Sequence, residues 1–399
     1  MSKTPASTCI VSSALPLAKR PSHRTLVSAL LPLVLLGSAG HAQVHVDKPA
    51  AQAAMVSAAP MAMQQAMPSS GGNPASAVPA ATGGAAALSP VSQEWTEQLN
   101  HIVSDPPPPH LVRGTHYVIS NEDRHDLWLK TIANKGGAYI GVGTDQNYVL
   151  AGWQRPELMV LFDFDQVVVN VHYVYRVFFI HSKDPEEFKG LWEAKNEATA
   201  LKLLTDAYPH PKQRAAILEA YKMSRASVLS RFRKVASIYK IHNIRWFLDD
   251  QGQFDYIAQL FRTGRVVMVR GDLTVGTSLS SIASAISAIG MKLSVLYLSN
   301  AERYFTYSEG FKKSMLSLPY GDDAVVIRTR ARPNGVYMYV VQDAKNYVDW
   351  VKHPKVNTVY QLTHQMDADP NPGLFYIRKT ASAAVPSVAH PPFAHLKSK

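Results

Sequence analysis

Asp163 and Asp165 close the apolar run that begins at Leu158, with one residue between them. An acidic residue at the end of a buried strand can hold ribose hydroxyls. It can equally cap the helix that follows. Upstream stands Gly141-Val142-Gly143-Thr144-Asp145-Gln146-Asn147. A Gly-x-Gly turn after a strand lets a ligand approach the backbone closely, and the helix start beyond it favours anions. The third glycine of a full dinucleotide fingerprint is missing. Two more polar strand ends follow, Gly271-Asp272 and Ser299-Asn300-Ala301-Glu302. Each acid alone reads as a cap. Together they predict a pocket, because independent caps rarely share one rim.

The elements that would position these residues alternate strand and helix. Strands are predicted at His116 to Ile119, Ala138 to Val142, Leu158 to Phe164, Val266 to Val269 and Leu293 to Leu298. An antiparallel pair, Val325 to Arg328 and Val336 to Gln342, closes the body. The continuous apolarity of Leu158 to Phe164 suits a strand buried on both faces. Helices follow from Val167, Val171, Val174 and Phe178, from Phe254 to Phe261, and from Leu279 to Ile289. Asp184-Pro185-Glu186-Glu187 starts another, with a capping-box pattern and Pro in the first turn. The pattern is that of an open, doubly wound, mostly parallel α/β sheet, whose ligands sit beyond the carboxyl ends of the strands. A helical insertion at about 185–245 and an antiparallel C-terminal edge complete it.

Composition divides the chain. Its 399 residues and one cysteine exclude a disulfide mini-protein, and a single long apolar run excludes a polytopic membrane protein. Residues 1–42 read as an export signal: Lys19, Arg20 and Arg24, an apolar stretch Leu26 to Leu36, then Gly40-His41-Ala42 before Gln43. The expected location is therefore the periplasm or outside the cell. Cys9 would leave with the signal, removing disulfides, thiolate ligands and cysteine nucleophiles. Residues 43–92 are Ala, Pro, Ser, Gly, Gln and Met, a disordered spacer by composition. Its Met55, Met61, Met63 and Met67 read as low complexity before they read as a soft-metal site. One α/β domain occupies residues 93–380, and 381–399 form a loose tail.

The net charge of +11 is milder in the body, since Lys3, Lys19, Arg20, Arg24, Lys48, Lys397 and Lys399 lie outside it. Inside, eight Lys/Arg and only Glu219 fall between Lys212 and Lys240. Ile217, Tyr221, Val228, Phe232 and Val235 give this stretch a helical apolar face, read as a basic helix pair. A solvated face is the plain reading; an anionic polymer or membrane surface is the sharper one. Nucleic acid is not expected for an exported chain. There is no H-E-x-x-H, G-x-S-x-G or P-loop, and no metal site is predicted. His172, His181 and His242 read as single core or surface histidines.

Two resemblances bear on the rim. Leu161 to Val167 resembles the first motif of haloacid dehalogenase-type phosphatases. That resemblance implies Asp163 as nucleophile and Asp165 as acid around Mg²⁺. A strand and a Gly-rich turn precede the motif here, and Gly321-Asp322-Asp323 does not follow an apolar strand, so the phosphatase is the alternative. The same Asp-x-Asp could chelate a nucleotide-sugar metal. Gly141 to Tyr148, Arg155-Pro156, the strand to Asp163, His172 and Tyr175 are similar to an uncharacterised bacterial family. Leu296 to Tyr304, Leu318-Pro319 and Val326 to Arg328 are similar to its second signature. The resemblance spans most of residues 130–330 and implies a Rossmann core like that of S-adenosylmethionine-dependent methyltransferases.

It further implies S-adenosylmethionine as the cofactor to test. Gly141, Gly143, Asp145, Asn147, Asp163 and Asp272 would bind it, Asp163 at the ribose. Asn300 and Glu302 would orient a methyl acceptor. Tyr139 stands where such a loop usually has an acid. S-adenosylmethionine is cytoplasmic, whereas the signal directs export, so a kept fold with changed or lost activity is the expectation. A noncatalytic exported protein that binds a small molecule is the competing class.

Overall fold

The computed structural model describes residues 88–332, 335–381 and 385–388. The expected signal, most of the spacer and most of the tail lie outside the described residues.

Apolar alternation builds one sheet. Its strands are β1 (Ala138–Val142), β2 (Leu158–Asp163), β3 (Val266–Arg270), β4 (Leu293–Tyr297), β5 (Tyr320–Ala331), β6 (Tyr337–Asp343), β7 (Met366–Ala368) and β8 (Leu374–Ile377). They lie in the order β3-β2-β1-β4-β5-β6-β8-β7. β1 to β5 pair in parallel; β6 runs antiparallel to β5, β8 parallel to β6, and β7 antiparallel to β8. Every residue of β2 and β4 is buried, as expected of parallel strands covered on both faces.

Helices cover both faces. In chain order they are α1 (Gln93–Asn100), α2 (Leu129–Ile132), α3 (Gln146–Gln154), α4 (Gln166–His181), α5 (Pro185–Gly190) and α6 (Glu197–Ala207). There follow α7 (Pro211–Ile241), α8 (Gln251–Arg262), α9 (Thr277–Ala288), α10 (Glu309–Ser317), α11 (Ala344–Lys352) and α12 (Val359–Thr363). Tyr139, Met159, Leu161, Val295 and Tyr297 point into one core, which α2 to α8 close with Tyr148, Phe178, Phe232 and Phe254. Ala138, Ile140, Leu158, Val160, Phe162 and Leu296 point into the other, closed by α9 to α12. The fold is thus the expected doubly wound α/β sheet.

Three expectations change. The basic stretch is one 31-residue helix, α7, not a pair. No Gly or Pro interrupts it after Pro211, and its apolar stripe lies buried along α4. His116 to Ile119 is not a strand; the segment has no sheet partner and crosses the rim instead. The sheet does not end with the β5–β6 hairpin, since β8 adds to β6 in parallel after α11 and α12. Only a tertiary partner makes a strand of a run as short as Leu374–Ile377.

The connection from β1 runs to β2 under the first face, and that from β4 to β5 under the second. The connections leaving the carboxyl ends of β1 and β4 therefore diverge and leave a crevice between them.

Candidate functional site

The turn after β1 is built from its own side chains. Gly143 has φ +91°, a left-handed conformation that glycine adopts without strain. Gln146 Oε1 accepts from the Thr144 amide at 3.1 Å while its Nε2 donates to the Val142 carbonyl, also at 3.1 Å. Asn147 Nδ2 donates to the Val142 and Thr144 carbonyls, and Tyr139 Oη donates to Asn147 Oδ1 at 2.6 Å. A Cβ on Gly141 would stand 2.0 Å from Asn147 Oδ1 and 2.6 Å from the Tyr139 ring. Gly141→Ala should therefore cost on the order of 1–3 kcal/mol by overpacking, read as a lower urea midpoint at unchanged slope. His172 fixes the turn from below. Its Nε2 donates to the Gly143 carbonyl at 2.7 Å and its Nδ1 accepts from Tyr148 Oη at 2.8 Å. Burial holds its pKa down to about 4, so the ring is neutral at pH 7.

Asp145 faces away from the ligand side. It accepts from the Ser120 amide at 2.7 Å and from Arg231 Nε at 3.0 Å, both buried. Arg231 also donates to Asp123 and to the Glu122 carbonyl. The basic helix α7 thus spends one of its cations on tying the 120–123 segment to the β1 turn.

A cavity of about 110 Å³ opens between the ends of β1, β2 and β4. Gly143, Asp163, Asp165, Ser299, Asn300 and Tyr304 are among its walls, with Val112, Thr115 and Tyr117 above. Among the described residues no lysine, arginine or histidine lines it. Burial pushes Asp163 up to about pH 7, against hydrogen bonds from the Asp165, Gly143 and Phe164 amides. Asp165 is the N-cap of α4: its Oδ1 accepts from the Val167 amide at 2.9 Å. Its Oδ2 accepts from His116 Nδ1 at 2.8 Å.

Below the cavity lies a third carboxylate, Glu122. Ser299, in the left-handed region at φ +51°, donates from Oγ to Glu122 Oε1 at 2.6 Å. Tyr297 and Thr329 donate to the same carboxylate, and His125 Nε2 lies 3.3 Å away. Burial opposes the charge on Glu122, but His125 and the hydroxyls hold its carboxyl below the usual range. Asn300 Nδ2 donates to Tyr337 Oη at 3.1 Å.

Of the sequence-predicted residues, Gly143, Asp163 and Asn300 meet at this cavity. Gly141, Asp145 and Asn147 support it from behind. Asp272 stands apart at the end of β3, its carboxylate accepting from the Thr274 amide and hydroxyl. Glu302 is also apart: it pairs with buried Arg328 at 2.9 Å and accepts from Tyr307 Oη at 2.5 Å. His116 and Glu122 carry no periodic or motif signal; their partners lie far along the chain. Among the described residues no group of three or more His, Cys, Asp or Glu is placed to hold a metal. No described helix is long and apolar enough to cross a membrane.

A family model described as a domain of unknown function, DUF7790, matches residues 117–377. The chain belongs to the DUF7790 family. The matched span of the DUF7790 domain begins at the segment over the cavity and ends at β8. No curated protein matches the chain. One solved structure similar to it is the rRNA methyltransferase aviRa from Streptomyces viridochromogenes, at 12% identity and a TM-score of 0.24. The match covers 60% of this chain and 84% of that one. At that score the fold of the DUF7790 domain rests on its own strand order.

Proposed function

We propose that this DUF7790 domain is the ligand-binding body of an exported protein. It takes a small, hydroxyl-bearing, neutral or cationic molecule in the crevice between β1 and β4. The observation that carries this reading is the lining: the carboxyl groups of Asp163 and Asp165 and the carboxamides of Asn121, Gln146 and Asn300 border the space, and among the described residues no cation does. Such a wall repels phosphates and accepts hydroxyl or ammonium donors.

Whole S-adenosylmethionine does not fit the residues as they stand. Asp163 is placed for a ribose, but Gln146 and Asn147 fill the glycine turn. The space is also well below the roughly 300–1,000 Å³ usual for ligands of that size. We therefore derive no methyl transfer. The Mg²⁺ phosphatase is the second reading, favoured by Asp163 and Asp165 sharing one cavity. Both Asp165 oxygens are engaged by Val167 and His116, which weighs against it as the acid.

Thermal shift on the full chain tests these readings with adenosine, S-adenosylmethionine, S-adenosylhomocysteine, and Mg²⁺ with phosphate esters. A ligand at 100 times its Kd should add about 2.7 kcal/mol. We expect adenosine, hydroxyl-bearing and neutral, to stabilise the chain and Asp163→Ala to abolish the effect. Mg²⁺-dependent phosphate release, lost in Asp163→Asn, would overturn the binding reading for the phosphatase. The mass of the mature N-terminus tests export, Gln43 being the residue expected first.

A further inference from the structure

A second cavity, of about 390 Å³, lies on the α7 side of the segment that roofs the first. Its walls include His116, Asn121, Ser227, Ser230, Arg231 and Lys234. Ser227, Ser230, Arg231 and Lys234 follow one another at helical spacing on one face of α7. The two cavities share Tyr117, Ile119, Ser120 and Asn121, so a single stretch of backbone divides them.

That stretch is held chiefly at its ends, the second of which includes Val118 and Ile119 packed on the first core. At one, the buried Asp105 carboxylate accepts from the Ser278 amide and hydroxyl and from the Asp272 amide. At the other, the Ser120 amide donates to Asp145, and Glu122 sits in its buried network. Between them, Pro106 to Pro109 have no amide to donate. The backbone bonds of residues 110–119 are local, from Gly114 to Leu111 and Thr115 to Val112. Among the described residues the one long-range side-chain hydrogen bond of 106–119 is His116 to Asp165. His116 is about one-third exposed (35%), while Asp165 is buried.

We infer that the two cavities are halves of one binding site, divided in part by residues 106–117 as a strap that the His116–Asp165 contact latches shut. This rests on the proposed binding function and sharpens its ligand class. With the strap lifted, the spaces of about 110 and 390 Å³ join into one that stays within the range usual for nucleoside-sized molecules and reaches Asp163 and Asn300. One end of such a ligand meets Asp163 and Asn300. The other meets the hydroxyls of Ser227 and Ser230 and the ammonium of Lys234, which pairs with Asp123 at 2.8 Å and keeps further N–H donors, so this end suits an acceptor group such as a carbonyl. Release needs no rearrangement of the sheet: His116 and Tyr117 swing out of the shared wall, while Asp105 and the residues from Val118 to Asn121 stay in place.

The test reads strap opening without any ligand. In full-length chain carrying Cys9→Ser, Ala301→Cys places the sole thiol on the cavity wall. Its rate of modification by a maleimide reports access to the crevice. His116→Ala should raise that rate roughly tenfold, the low end for a hydrogen bond to a charged group. Asp165→Asn keeps a good N-cap for α4 and weakens the latch, so it should raise the rate as well. Unfolding by circular dichroism checks that both variants remain folded. Unchanged labelling in both variants overturns the strap, even if adenosine or S-adenosylmethionine stabilises the chain. Faster labelling in a chain that binds no member of the panel leaves the strap standing and removes the proposed ligand class.

Discussion

Asp163→Asn should be more stable than the parent chain by about 4 kcal/mol near pH 8, and no more stable near pH 4. The carboxyl is lifted from 3.8 to about 7 by burial. An acid raised in this way costs nothing below pH 3.8, where both folded and unfolded chains hold the proton. As pH rises, the unfolded chain ionises first, so stability falls across the window from 3.8 to about 7 and stays low above it. Asparagine keeps an oxygen for the Asp165 amide and never ionises. Urea midpoints at several pH values read the difference, and parallel curves for the two proteins would refute the prediction. The parent hides the effect because His172 works in the opposite sense. Its depressed pKa of about 4 gives stability that is present above pH 6.5 and lost as pH falls. The two slopes oppose each other between about pH 4 and 7, so the variant should show an acid-side loss that the parent masks. A gain in stability from removing Asp163, joined to loss of ligand response, is the trade expected of a binding residue.

Arg231→Met should cost about 3–5 kcal/mol, because it strands the buried Asp145 carboxylate. Arg231 and Asp145 side chains are 2% and 4% exposed, and their contact is 3.0 Å. Arg231 also holds Asp123 at 2.7 Å, while Lys234 reaches that same carboxylate from the surface at 2.8 Å. Asp123 therefore keeps an ion partner, whereas Asp145 keeps only the Ser120 amide and the Thr144 hydroxyl. The double variant Arg231→Met with Asp145→Asn should recover much of the loss, since no charge is then left without an ion partner. Urea unfolding of the two single variants and the double forms the cycle. A single-variant loss below about 1 kcal/mol would mean that the pair is worth no more than a surface contact.

The strand ends of this chain were legible from local pattern. β2 reads as buried from its unbroken apolarity, α4 from Val167, Val171, Val174 and Phe178, and the turn after β1 from its glycines. Their parallel order brings Gly143, Asp163 and Asn300 to one cavity, as expected of a doubly wound sheet. Asp272 and Glu302 also end or follow strands, yet Asp272 turns into its own loop and Glu302 into Arg328. A strand-end position gives the rim, not the direction of the side chain. That direction depends on which partner lies within reach, and Arg328 is on another strand.

Cation spacing on α7 showed a basic face but not that Arg231 turns inward, because the acids that draw it in come from 123 and 145. His116 meeting Asp165, and Glu122 meeting Tyr297, Ser299 and Thr329, join positions separated by 49 to 207 residues. The layers, the strand ends and the glycine turn follow from local pattern, since each depends on periodicities a few residues long. Which carboxylates face the crevice, and that a segment without sheet pairing roofs it, emerge in the folded chain. Those outcomes depend on long-range hydrogen bonds and burial, which no local pattern encodes.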